Sequence, residues 1–126
     1  MKRLVLSAAL LLLCFAVAVV GYFKIENGCV SMIILLENAG TSIKANDIEK
    51  AKEDLDEVGT LWERDRKSFG IYLDHKELES LEYSFPTLIN LLAAGNAETA
   101  FEEIQKCISV LKKISEEQKI CADNIL

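Results

Sequence analysis

Proline occurs once in the 126 residues, at Pro86, histidine once, at His75, and tryptophan once, at Trp62. With so few helix breakers, and no stretch in which β-branched residues alternate with polar ones, nothing predicts a strand. The chain reads as all-α. One histidine, and cysteines without C-x-x-C or similar spacing, leave a zinc ion without its three or four converging ligands. Basic patches are missing as well. The formal charge of −6 becomes −8 once Lys2 and Arg3 are set aside, so nucleic acid is a poor partner. The acidic run Asp47, Glu49, Glu53, Asp54, Asp56 and Glu57 lacks the glycine turn and ligand order of a calcium loop. It reads as a solvated helix face, balanced in part by Lys50 and Lys52. No nucleophile stands beside a recognisable base or elbow. Neither an enzyme nor a cofactor is expected.

What the chain does have is Leu4 to Phe23, twenty residues without a charge, twelve of them Leu, Val or Phe. A helix of that length spans about 30 Å, the thickness of a bilayer's hydrocarbon core. Insertion of those twelve residues gains about 4 to 7 kcal/mol. Lys2 and Arg3 precede the run and are retained on the cytoplasmic side. The expected organisation is a cytoplasmic stub at 1–3, a transmembrane anchor at 4–23 and an extracytoplasmic helical bundle at 24–126, single-pass in the cell membrane. A cleaved signal peptide is the rival, because Ala16-Val17-Ala18 has the small-x-small form of a cleavage site. Against it, Val19, Val20, Tyr22 and Phe23 carry the apolar run past that site. Cys14 lies mid-span and reads as a small apolar side chain.

Beyond the span, Lys24 to Gly28 read as the membrane interface, and a first bundle helix is expected from Cys29 to Lys44. Cys29, Ile33, Leu36, Gly40 and Ile43 share one of its faces. Val30, Met32, Ile34 and Leu35 make its lower half apolar nearly all round, which allows burial, lipid contact or a partner's surface. Asn46-Asp47-Ile48-Glu49 predicts a second helix with Asn46 as N-cap. Its inner face is Ile48, Ala51, Leu55, Val58, Trp62 and Phe69, with Asp65 as a polar intruder, and Gly59 is expected to mark a close helix contact. Gly70 reads as its left-handed C-terminal cap, with Ile71 folding back on the last turn.

Asp74 and Glu77 open a third helix with Leu78, Leu81, Phe85, Leu88, Ile89 and Leu92 facing inward and Pro86 bending it convex toward solvent. Gly95 stops it and Asn96 caps a fourth, which carries Ala100, Ile104, Cys107, Ile108, Leu111, Ile114 and Cys121 on one face. Short loops make neighbours antiparallel, so the expected fold is an N-terminal transmembrane helix followed by an up-down bundle of four helices, the first continuing from the span.

A Trp late in the second helix (Trp62), His75-Lys76-Glu77-Leu78 opening the third and Asn124-Ile125-Leu126 near the end resemble a family of short membrane-anchored proteins from spore-forming Gram-positive bacteria, catalogued as domain of unknown function four-three-six-three. The resemblance implies a single-span, extracytoplasmic helical protein without an assigned activity, and a membrane partner.

Two readings of Cys29, Cys107 and Cys121 stay open: small buried apolar residues, or a Cys29–Cys107 disulfide, with Cys29 and Cys107 offset by about four residues, or roughly 6 Å, if first and last helices pair. His75 is expected in the first turn of the third helix as a solvent-facing or cap residue. The function expected is that of an interaction or accessory subunit of another membrane or envelope protein. The alternative is a ligand-sensing bundle that signals through a separate protein. A homodimer through the second helix's seam, at Leu55 and Val58, is a third arrangement.

Overall fold

The computed structural model describes the backbone of residues 1–72 and 75–125 and the side chains of residues 1–70 and 75–117. The described residues form four helices: α1 (Lys2–Lys44), α2 (Ile48–Tyr72), α3 (His75–Ala93) and α4 (Ala97–Ile125). α1 packs on α2 and on α4, and α3 packs on the same two, so the four stand in a ring with α1 diagonal to α3. The all-α up-down bundle expected from the sequence is present.

α1 is one helix of 43 residues. The stretch Lys24 to Gly28, read as the membrane interface, is helical and joins the apolar run to the first bundle helix as expected, because it holds no proline and Gly28 keeps helical dihedrals. Its N-terminal part is long and apolar enough to cross a membrane, and almost none of that window is buried against the rest of the protein. Burial begins at Gly21 and continues through Ile25, Gly28, Cys29, Met32, Leu36, Ala39 and Gly40.

The α1–α2 turn corrects the expected cap. Asn46 sits at φ 61°. Its N–H donates to the Ile43 carbonyl at 3.0 Å, and that of Asp47 donates to the Ser42 carbonyl at 2.8 Å. These two bonds are a Schellman motif with Asn46 as its left-handed residue. The N-cap of α2 is therefore Asp47, whose Oδ1 accepts from the Lys50 N–H at 3.3 Å. Asn tolerates the left-handed region and Asp caps as well as Asn, so each residue takes the role one place from that expected.

The α3–α4 turn is as expected. Gly95 has φ 79°, Gly95 N–H donates to the Leu92 carbonyl at 3.1 Å, Asn96 N–H to the Leu91 carbonyl at 2.9 Å, and the Asn96 carbonyl accepts from Ala100 at 3.1 Å. Gly70, by contrast, does not cap α2: the helix runs through it to Tyr72. A side chain there would reach Leu78 Cδ2 on the first turns of α3, 3.9 Å from a Cβ, so its neighbourhood is the approach of α3. The Asp74 cap and the side chain of Cys121 lie outside what the structure describes.

The core takes Leu55, Val58, Trp62 and Phe69 from α2, Leu81, Phe85, Leu88 and Leu92 from α3, and Ile104, Cys107, Leu111 and Ile114 from α4 at the expected spacings; from α1 it takes Cys29 and Leu36 as expected, with Met32 and Ala39 in place of Ile33 and Ile43, which lie at its margin because α2 and α4 cover a face turned slightly from the one expected. Ile89, placed inward by the sequence reading, is exposed, since Leu88 and Leu92 hold the inner face and Ile89 falls beside them. Pro86 is exposed, so α3 turns its one missing N–H toward solvent. Leu55 and Val58 are buried inside the bundle, which removes the α2 seam as a dimer surface.

Gly59 is not a close contact, because a Cβ there would meet nothing within 4 Å. The Gly59→Ala variant should therefore gain the helix propensity alone, stabilising the protein by about 1 kcal/mol in chemical denaturation in detergent. A loss of stability would mean that a neighbour approaches Gly59 after all.

Candidate interaction surface

A helix has more circumference than two neighbours cover. α2 and α4 cover the face of α1 that carries Ile25, Cys29, Met32 and Leu36. The other face is left open along the bundle: Asn27, Val30, Ser31, Ile34, Asn38 and Thr41 are exposed. Within it Val30 is 45% and Ile34 53% exposed, and the line runs back through Phe23 at 57% to Val20 at 64%. The apolar excess on this helix thus divides: Met32 enters the core, Ile33 and Leu35 lie at its margin, and Val30 and Ile34 stay outside. An apolar row continuous with a potential membrane span differs from scattered exposed apolar residues, which need no explanation.

Two glycines seat α1 on its neighbours. A Cβ on Gly28 would stand 2.9 Å from Asp65 Oδ2 and 3.2 Å from Phe69 Cζ, and one on Gly40 would stand 3.3 Å from Phe101 Cε2. Asp65 is the polar intruder of the α2 seam. Its side chain is 3% exposed and pairs with the exposed Arg64 of the same helix, Nε to Oδ1 and Nη2 to Oδ2 both at 3.1 Å. A buried carboxylate needs such donors and needs room; Gly28 supplies the room. Sequence reasoning missed Gly28, although an acid inside an apolar seam is itself a signal that a small residue stands opposite. Near the far end, Lys44 Nζ lies 4.9 Å from the centroid of the Phe101 ring, a cation–π contact between α1 and α4.

Two grooves flank α3. The larger, about 660 Å³, lies between α2 and α3 over Gly59, Trp62, Arg66, Phe85 and Pro86. An Arg66–Glu82 ion pair closes across it, and the buried Trp62 Nε1 has no hydrogen-bond partner. The smaller, about 490 Å³, lies between α3 and α4 over Ser84, Glu103 and Cys107, where Ser84 Oγ donates to Glu103 Oε1 at 3.2 Å. His75 is exposed in the first turn of α3. Among the described residues no three His, Cys, Asp or Glu side chains converge as a metal site.

Cys29 and Cys107 are buried, free thiols. The α1–α4 register accounts for their separation. Gly40 faces Phe101 and Ile104, which sets Cys107 level with Leu36, six or seven residues or roughly 10 Å along α1 from Cys29. The offset exceeds the four residues expected and is too long for a disulfide. Burial, with Glu26 and Asp65 nearby, pushes the Cys29 thiol up to about 12, and burial beside Glu103 pushes Cys107 up to about 11 against the Ser84 hydrogen bond.

The unfolded chain releases these protons from about pH 9 while the folded chain keeps them, so stability is full below pH 9 and falls as pH rises toward the folded values. Up to about tenfold in the folding constant should be lost per pH unit for each thiol. Denaturation at pH 8 and pH 10 should show a loss that shrinks in the Cys29→Ala, Cys107→Ala double variant; an equal loss in both proteins would assign the effect to other groups.

No curated protein and no solved structure matches the chain. A protein-family model does, over residues 19–125, which takes in the end of the apolar run and all four packed helices. The chain belongs to the family described as Domain of unknown function (DUF4363).

Proposed function

We propose that this protein is a single-pass membrane protein whose bundle lies outside the cytoplasm and acts as an interaction or accessory subunit in a membrane or envelope assembly, without catalysis of its own. The observation that carries the reading is the open face of α1: Phe23, Val30 and Ile34 leave an apolar row exposed along a helix that is unbroken from its apolar N-terminal part. Lys2 and Arg3 supply the orientation, because positive residues beside a span are held on the cytoplasmic side. In a bilayer the row emerges directly from the hydrocarbon region, where a helix of another membrane-anchored chain can follow it without turning.

The test is site-specific photo-crosslinking in the native cells, with the probe at Val30 or Ile34 and a control probe at Tyr83 on α3, which is 75% exposed. Discrete protein adducts at the two α1 positions and none at Tyr83 are expected. Lipid adducts alone, or the same pattern at all three positions, would remove the reading.

A further inference from the structure

The base of the bundle does not coincide with the end of the apolar run. Val19 and Tyr22 are half-buried, Gly21 and Ile25 are buried, and Val17, Ala18 and Val20 are exposed. Cover on α1 therefore begins at Val19, inside the run Leu4 to Phe23. Among the described residues only α2 and α4 pack on α1, and the register tells which of them reaches so far. Gly28 faces Asp65 and Phe69. In an antiparallel pair each residue further along α2 stands one further back on α1, so Tyr72, where α2 ends, is level with residues 21–25. Gly40 faces Phe101 and Ile104, which by the same count sets Ile125, where α4 ends, level with residues 16–19. α4 thus continues past the end of α2 by about five or six residues, roughly 8 Å, alongside the apolar run. Burial and register agree: cover begins at Val19, where α4 alone remains to supply it.

Resting on the reading of α1 as a single span, we infer that the last two turns of α4 are seated in the bilayer, at the boundary between headgroups and acyl chains on the bundle's side, so that the bundle stands in the membrane surface and not above it. A hydrocarbon core of about 30 Å takes about twenty helical residues, which is Leu4 to Phe23, and the end of α4 lies within that length. It cannot stay in water while α1 beside it is in lipid. Composition sets the depth. Beyond Glu117 the charges are Lys119 and Asp123, set among Ile120, Cys121, Ala122 and Ile125, which is too polar for the hydrocarbon and apolar enough for its boundary. Asp123, level with residues 18–21 in the α4 register, holds the headgroups near Val20. The hydrocarbon left to α1 is then Leu4 to Val19, about 24 Å, which a bilayer meets by thinning around the protein. A second point of contact also removes the freedom of a bundle on one stalk to lean, because tilt is set by such interfacial anchors. Val30 and Ile34 are thereby presented at a constant height.

The test is the depth of a fluorophore on the full chain, reconstituted into vesicles of phosphatidylcholine and phosphatidylglycerol. Ile120→Cys and Asn124→Cys lie two helical turns along α4 from the exposed Lys113 and Glu117, and Glu49→Cys is the control, exposed at the far end of the bundle. Each is made with Cys14→Ser and Cys121→Ser. The protein with Cys121→Ser alone carries the label on Cys14, exposed within the span, and the buried Cys29 and Cys107 stay unlabelled in all of them. With a nitrobenzoxadiazole label, lipids bearing a nitroxide high on the acyl chain should quench both α4 positions about fivefold more than position 49, and aqueous iodide should quench position 49 about fivefold more than either. If the lipid nitroxide quenches Cys14 while 120 and 124 behave as 49 does, the seating of α4 is overturned and the span stands. If Cys14 also behaves as 49 does, both fall.

Discussion

Replacing Trp62 by Ala should destabilise the bundle by about 3 to 5 kcal/mol, the largest loss expected from a single truncation here. The ring is 4% exposed and is the hub of an aromatic cluster, with Phe69 and Phe85 both at 5.5 Å between centroids in edge-on geometry. Phe69 belongs to α2 and Phe85 to α3, so the cluster ties α3 to α2. Truncation removes both edge contacts and opens the cluster onto the α2–α3 groove, where the walls cannot close because Gly59 brings no side chain to it.

The control is Trp62→Phe. It keeps an aromatic body and removes a buried N–H without a partner, whose burial alone costs about 1 to 3 kcal/mol. Its net change should therefore be within about 1.5 kcal/mol of zero. Since Trp62 is the one tryptophan, unfolding should be followed by far-UV circular dichroism in detergent. A loss below about 1 kcal/mol for the alanine variant would show that the cluster does not support α3.

Gly28→Leu should cost about 3 kcal/mol or more, since the first atom beyond the backbone already meets Asp65 Oδ2 at 2.9 Å and the Phe69 ring at 3.2 Å. Neither neighbour has space to withdraw: Phe69 is fully buried and Asp65 is held by Arg64 on both oxygens. α1 must lift away from α2 to admit the side chain. Cys29, adjacent and buried, should then become reactive to a maleimide, a change that reports local separation and not loss of helix. Gly28→Ala is a milder form, in which a helix-propensity gain of about 1 kcal/mol offsets part of the clash. Combining it with Asp65→Ala should recover about 1 to 2 kcal/mol relative to the sum of the single variants, because the two side chains contest one place. Additivity in that cycle would remove Asp65 as the cause.

Gly28 and Gly59 show where reading the chain reaches its limit. Both are helical glycines, and the sequence suggested a close contact at Gly59 and a membrane interface at Gly28. The close contact is at Gly28, against Asp65 and Phe69, and Gly59 faces open space. A glycine inside a helix records that a side chain is missing. It does not record whether another helix or open solvent takes the place. The same gap explains the cysteines, whose thiols are both on inward faces as the periodicity implies, yet sit at different heights because the register between α1 and α4 is set by Gly40 against Phe101 and Ile104.

Local chemistry, by contrast, was legible wherever one turn decides the outcome. Gly95 followed by Asn96 ends one helix and begins the next because only those few backbone groups are involved. At Asn46 and Asp47 the same chemistry left two permissible assignments, since either residue can cap and asparagine can also take a positive φ.

By itself, then, the sequence determined the four helices, the apolar N-terminal part of α1 and the inner faces of α2 and α4, because period and capping are properties of neighbouring residues in one chain. Which face of α1 is covered was for the tertiary structure to decide. The period placed Cys29, Leu36 and Gly40 inward, but between Cys29 and Leu36 the helix is apolar nearly all round, so the placement of α2 and α4 decided that Met32 is covered while Ile33 lies at the margin and Val30 and Ile34 stay open.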